Sequence, residues 1–345
     1  MNMKKTTIAI LVSGACMASA SAMATTVYKD DTTSLDVGGR VEVRANFSDA
    51  NKTAGDDNSF ENNSRVRLNI GGEHAVNDDL SVLGFTEFEI TENEEYSGDN
   101  EVRYMYAGLS SKKMGDLTFG HQDNAVTYLT NWTDKAETFS GSINEYNAST
   151  SDRAANVIRY GYATNNLNFQ ASYNIDSTST KNEGWNAMLG YDTGFGLNVG
   201  VGYSGSEQKI NNVGNQRADS NVAIVAAQYQ HDMGIDVAMT YQGGKLSAVN
   251  SNGGTGLNES DFDAVDAYLG YNFGNNNVNA TYNYLSADDS KDFDINNIGV
   301  EYAHYMGNFT AFVSYKFALL DDDKNVSYVG DNADNEAMIG ARYAF

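Results

Sequence analysis

The stretch Leu35-Asp36-Val37-Gly38-Gly39-Arg40-Val41-Glu42-Val43-Arg44-Ala45-Asn46-Phe47 decides the fold. Leu35, Val37, Gly39, Val41, Val43, Ala45 and Phe47 form one apolar or small set, while Asp36, Arg40, Glu42, Arg44 and Asn46 form a polar set. Successive side chains of a strand point to opposite faces, so a two-residue period gives one greasy and one wet face. A helix would scatter both sets around its axis. The alternation returns with Val66, Leu68 and Ile70 opposite Arg65, Arg67, Asn69 and Glu73, and again in runs starting at Leu167, Leu197, Ile235, Val265, Val278 and Phe309. Sixteen such segments can be marked along the chain, the last from Ala337 to Phe345.

The connections alternate as well. Short polar turns at Asn77–Asp79, Ser111–Asp116, Thr164–Asn166, Asp192–Phe195, His231–Gly234, Gly274–Asn277 and Met306–Asn308 take turns with long acidic or Gly/Asn-rich stretches such as Asp49–Phe60, Ser204–Asp219, Gly243–Ser260 and Leu319–Asn335. A soluble sandwich has no reason to alternate loop lengths, whereas a membrane barrel has short turns on one side and long loops on the other. Roughly 20 residues remain for each strand with its connection, which suits tilted spanning strands of about 9–11 residues. In hydrocarbon every unpaired backbone N–H or C=O costs several kcal/mol, so a sheet can span only by closing on itself. The expectation is an all-β protein, a 16-stranded antiparallel transmembrane β-barrel with apolar alternates toward lipid, polar alternates toward a lumen, and Tyr173, Tyr203, Tyr241 and Tyr343 in aromatic girdles. The rival reading, a large soluble all-β protein, gives no account of a polar interior.

Composition narrows the classes further. The 345-residue chain has no proline, 33 glycines, 22 tyrosines and 15 phenylalanines, a mixture that favours strands and tight turns. Its mean hydropathy of −0.47 excludes a bundle of transmembrane helices. Lys4 and Lys5, the apolar run from Ile8 to Val12 and the site Ala22-Met23-Ala24 have the three regions of a secretory signal, which predicts residues 1–24 as a signal peptide and 25–345 as the barrel domain. The only cysteine, Cys16, lies in that leader; a lipid-attachment reading of it is weakened by Ser13, where such sites want a large aliphatic residue. A mature chain without cysteine has no disulfide or thiol chemistry. The formal net charge of −24 deepens by two once the leader lysines leave, and repels phosphate backbones, so no nucleic-acid partner is expected. Low hydropathy with high charge also describes disorder, but the aromatic residues fall in register on one face.

Over essentially the whole mature chain, from Val27-Tyr28-Lys29-Asp30 and Leu35-Asp36-Val37-Gly38-Gly39-Arg40 to the terminal Ala341-Arg342-Tyr343-Ala344-Phe345, the sequence resembles the general diffusion porins of Gram-negative outer membranes, the group that includes OmpC, OmpF and OmpU. The resemblance implies a homotrimer in the outer membrane, in contact with its lipid and lipopolysaccharide, passing ions and small hydrophilic solutes passively. It also makes Phe345 an assembly signal, read by the barrel-assembly machinery through the C-terminal strand.

The long connection from about His121 to Asp152 holds Tyr128, Trp132, Phe139 and Tyr146, too many aromatics for a solvated loop. An external flap or a subunit contact would also bury them. The resemblance implies that this third external loop folds inward, with Asp134 and Glu137 as its acids. The usual Pro-Glu-Phe-Gly-Gly is replaced by Glu137-Thr138-Phe139-Ser140-Gly141, which moves the second acid one position early and leaves its aim open. Arg40 and Arg67, Arg103 from the fourth strand with Val102, Tyr104 and Tyr106 expected to face lipid, and Arg153 from the sixth match the basic cluster of porin constrictions. Scattered lumen arginines are the plainer alternative. Like charges about 5 Å apart on adjacent strands repel by roughly 3 kcal/mol at an effective dielectric near 20, so acids are expected close by, with Asp134 and Glu137 facing them across the opening. Acidic residues at the mouths, Asp49, Asp56, Asp57 and Asp321–Asp323, predict a cation preference.

Other motifs carry little. Gly200-Val201-Gly202-Tyr203-Ser204-Gly205 spells G-x-G-x-x-G inside an alternating strand and opens no helix for a pyrophosphate. Asp321, Asp323 and Asn325 lack the glycine of a calcium loop, and His74, His121, His231 and His304 show no ligand spacing. No cofactor, metal or enzymatic activity is expected. A substrate-specific sugar channel, or a barrel serving mainly as adhesin or anchor, stays open as an alternative to non-specific diffusion.

Overall fold

The computed structural model describes residues 24–52, 57–92, 100–143, 150, 152–175, 182–209, 217–249, 257–288, 294–320 and 334–345. The leader with Cys16, Tyr146, Asp56 and the 321–325 stretch lie outside them. Among the described residues there are eighteen strands: β1 (Thr25–Lys29), β2 (Thr33–Ser48), β3 (Phe60–Asn62), β4 (Arg65–Ala75), β5 (Leu80–Thr91), β6 (Asn100–Ser111), β7 (Gly115–Asp123), β8 (Arg153–Ala163), β9 (Leu167–Asn174), β10 (Asn182–Asp192), β11 (Leu197–Lys209), β12 (Arg217–Gln230), β13 (Ile235–Val249), β14 (Leu257–Phe273), β15 (Asn276–Ala287), β16 (Ile295–Met306), β17 (Phe309–Ala318) and β18 (Glu336–Ala344).

Sixteen of them, β2 and β4 to β18, make the wall. Each pairs antiparallel with the next, and β18 returns to β2 in a register running from Glu336 opposite Ser48 to Ala344 opposite Arg40. The ring therefore closes without a free edge, as backbone desolvation demands. The seam continues at Phe345, whose N–H and C=O exchange 2.9 Å hydrogen bonds with Gly39. Below it β1 lies along Ser34 to Val37 of β2, so both ends of the barrel chain meet on one strand. The short β3 pairs with the other end of β2, Phe60 opposite Phe47.

Seven tight turns gather at one end of the ring. At the turn before β13, Gly234 has φ +91°, and a Cβ there would stand 2.1 Å from the carbonyl oxygen of Asn272; only glycine fits. The alternate faces sort as the period requires. Val43 and Leu269 are 55% and 56% exposed on the outside, whereas Glu42 between the outward Val41 and Val43 is fully buried.

The inner face departs from expectation in two ways. It is polar on β2 and β4, but from β10 to β16 it carries Met188, Val222, Ile224, Ala238, Phe262, Leu285 and Ile295 in one buried cluster. Nor do Tyr104 and Tyr106 face lipid. The β5–β6 ladder pairs Glu87 with Tyr104 and Phe88 with Val102, leaving Arg103 as the extra residue of a bulge. A bulge puts two consecutive residues against one and resets the alternation. Arg103 and Tyr104 consequently both serve the interior, Tyr106 packs on the inward Phe85, and Met105 and Leu109 face outward instead.

Candidate functional site

The chain leaves β7 and returns in β8 through the 124–152 connection, whose base is tied by Asn124. Its backbone N–H and its side-chain amide both donate to the carbonyl of Asp152, at 3.1 and 2.7 Å. The backbone N–H of Ala125 donates to Ser172 Oγ (3.0 Å) and that of Val126 to Asn186 Oδ1 (3.2 Å), so the segment starts pinned to inward side chains of β9 and β10. A single helical turn, α1 (Thr127–Thr130), follows. Val126 and Leu129 are fully buried and Trp132 nearly so, against the apolar sector of the wall. Burial of side chains of this size contributes about 1.5–3 kcal/mol each, which anchors α1 and Trp132 to the wall. Tyr128 and Trp132 meet edge to face, with centroids 5.8 Å apart.

Beyond α1 the tip is held from two sides. Lys135 Nζ lies 2.7 Å from Asp236 Oδ1 and donates to Gln228 Oε1 at 3.2 Å. The backbone N–H of Glu137 donates to Glu301 Oε1 (2.9 Å), Thr138 Oγ1 donates to Glu301 Oε2 (3.0 Å), and Thr281 Oγ1 donates to the Phe139 carbonyl (2.6 Å). The Glu137 carboxylate meets Arg342 Nη1 at 2.5 Å, and its carbonyl accepts from Arg44 Nη2 at 2.6 Å. The acid displaced by one position thus aims at β18, and its backbone carbonyl at β2. Asp134 instead accepts from Ser140 Oγ at 2.8 Å, closing a turn at whose end Gly141 adopts φ +68° and where a Cβ would stand 2.7 Å from the Asp134 carboxyl carbon.

Facing this tip are the arginines. Arg40, Arg67, Arg103 and Arg153 line one cavity of about 1020 Å³ together with Arg44, Arg65, Arg342, Asp134 and Glu137. Except for Arg342, which is held by Glu137, their nearest counter-charges are wall glutamates, not the acids of the loop. Glu42 receives Arg40 (3.2 Å), Arg65 (3.1 Å) and Arg44; Glu89 receives Arg67, with Arg103 3.7 Å away; Glu87 receives Arg103 at 2.9 Å. Arg153 pairs with Glu101 at 3.0 Å and lies over the Tyr104 ring, whose hydroxyl donates to Asp123. Interleaved carboxylates let these seven arginines share one cavity, since an attraction to a nearby carboxylate offsets the repulsion between them. Glu42, Arg44 and Arg65 were visible on the polar face of their strands, and Glu87 and Glu89 flank Phe88 in plain alternation. What the sequence did not reveal was which of them touch, because that depends on register between strands.

The loop carboxyls sit in a mixed field. Asp134 opens to the lumen but has protein on most sides, and this desolvation pushes its carboxyl above the ordinary value although Ser140 and Arg65 pull it down. Glu137 is raised by the same burial, opposed by Arg342. Asp152 is pushed up to about 6 by burial, with the Asp123 charge adding to it. Among the described residues no group of His, Cys, Asp and Glu is arranged to hold a metal ion.

Comparison with known proteins agrees with this architecture. The family model described as Gram-negative porin matches residues 6–324. Outer membrane protein U of Vibrio parahaemolyticus is 30% identical, and porin-like protein L of Photobacterium profundum 32%, each alignment covering 99% of this chain and all of the relative. Among solved structures, Salmonella typhi OmpF in complex with daunomycin superposes with a TM-score of 0.78 at 22% identity over 93% of this chain and all of that one. The trimer form of Vibrio cholerae OmpT gives 0.70 at 20%, and an anion-selective porin from Comamonas acidovorans 0.69 at 18%, each covering 91% of this chain and all of the other. The solved structures share the fold of a closed sixteen-stranded antiparallel wall, and the chain belongs to the Gram-negative porin family of the outer membrane.

Proposed function

We propose that the protein is a non-specific, cation-preferring diffusion channel, with the 124–143 segment as its constriction. Passive diffusion through an outer membrane porin is the family's activity and involves no chemical step. The observation that carries the finer reading is the charged cavity between the arginine wall and the loop tip. Ions and small polar molecules exchange hydration for charged side chains there, while the apolar sector of the wall is sealed beneath the loop. Arg40, Arg67, Arg103 and Arg153 form the basic side, and Asp134 and Glu137 the acidic side. Cation preference is supported by the carboxylates that neutralise the arginines from within the wall, by the excess of acids in the chain, and by Asp49 and Asp57 near the mouth.

The same reading includes residues 1–24 as an export signal, a homotrimer surrounded by outer membrane lipid and lipopolysaccharide, and a C-terminal strand presented to the barrel-assembly machinery through Phe345. The trimer form of the OmpT neighbour supports the oligomer. Planar-bilayer recording tests the channel: ohmic steps in multiples of three are expected, with a reversal potential under a KCl gradient displaced toward the potassium side. Chloride preference would remove the selectivity claim, and no conductance would remove the channel.

A further inference from the structure

We propose that Gly200 and Gly202 of β11 are positioning residues for the constriction: their missing side chains receive Leu129 and Val126, and so set how far the loop stands off the wall. Both glycines point inward in the middle of a strand, where glycine weakens a sheet. Neither has a positive φ that would call for it. The reason lies across the gap. A Cβ on Gly200 would stand 2.4 Å from Leu129 Cδ2 and 3.2 Å from Trp132 Cη2, and one on Gly202 would stand 3.0 Å from Val126 Cγ1 and 3.1 Å from Leu129 Cδ1. Leu129 and Val126 are fully buried in this socket, so they cannot yield without lifting α1. Gly205, on the outward face of the same strand, meets nothing closer than 3.5 Å. Lifting α1 moves the loop toward the arginine wall and consumes the open cross-section. The inference rests on reading residues 124–143 as the constriction.

The test compares Gly200→Val with Gly205→Val and with the double variant Gly200→Val, Leu129→Ala. Single-channel conductance and the polyethylene glycol size that still enters are expected to fall in Gly200→Val, to stay at the parent value in Gly205→Val, and to recover in the double variant. A conducting parent with an unchanged Gly200→Val overturns the socket. Emission from Trp132 in a Trp185→Phe background reads the same contact without any current: a shift on Gly200→Val is expected, and an unmoved spectrum counts against the socket whether or not the protein conducts. Should Gly200→Val not assemble, Leu129→Ala alone probes the contact from the loop side; it must raise open-channel noise, and a quiet channel refutes the proposal.

Discussion

Arg342 and Glu137 meet at 2.5 Å although 205 positions separate them in the chain. The guanidinium comes from the strand that closes the barrel and the carboxylate from the tip of the internal loop. One ion pair therefore joins the seam of the wall to the tip of the 124–143 segment.

Removing that tie should loosen the tip without unfolding the barrel. Arg44 and Glu301 still hold the backbone of Glu137, so Arg342→Gln is expected to cost about 1–3 kcal/mol. Current traces should show larger open-channel fluctuations. Noise equal to the parent would mean that the pair does not restrain the loop.

Glu42 is the more critical carboxylate. It is fully buried and shared by Arg40, Arg44 and Arg65, and breaking a buried charge pair by deleting one side costs about 3–5 kcal/mol. Glu42→Gln should lower the denaturant midpoint in vesicles and shift the reversal potential toward anions. Urea titration beside a KCl gradient measures both, and a midpoint equal to the parent contradicts the shared-charge account.

Combined Arg40→Ala, Arg67→Ala and Arg103→Ala should act in the opposite sense. It enlarges the opening and leaves Glu87 and Glu89 facing water, so conductance and cation selectivity should both rise. An unchanged single-channel current would place these arginines away from the constriction.

Acid should weaken cation preference in two stages. Asp152 gains its proton as pH falls through about 6, and Asp134 and Glu137 follow above the usual carboxylate range. For stability the sign is fixed by linkage: a carboxyl raised by folding binds its proton in the folded state first. Asp152 therefore adds stability as pH falls from about 6 toward the unfolded value near 3.9, and that gain is lost as pH rises through about 6. Reversal potentials recorded from pH 7 to pH 4 should drift toward zero, and Asp152→Asn should abolish the upper stage. A pH-independent reversal potential would exclude these groups from the ion path.

Much of the barrel was legible because a strand's side-chain period is local. Val41, Glu42 and Val43 declare their faces from sequence alone, and the seven short turns declare which connections share an end. Arg103 shows where the period misleads. The bulge beside Glu87 comes from pairing with another strand, and it turned Tyr104 and Tyr106 inward against a simple count of two. The candidate arginines were legible through resemblance and alternation together, but their partners were not. Gly200 and Gly202 looked like a stray nucleotide fingerprint because their cause, Leu129 and Val126, lies about 70 residues away in the chain.

By itself the sequence determined that the backbone alternates, that its apolar alternates need a nonaqueous surround, and that a closed sheet is the only spanning answer; each of these follows from local pattern and the cost of unpaired amides. Tertiary structure alone decided which carboxylate neutralises which arginine, which half of the interior is dry, and where the loop comes to rest. Those depend on register between strands and on steric fit across the lumen, distances that no one-dimensional pattern encodes.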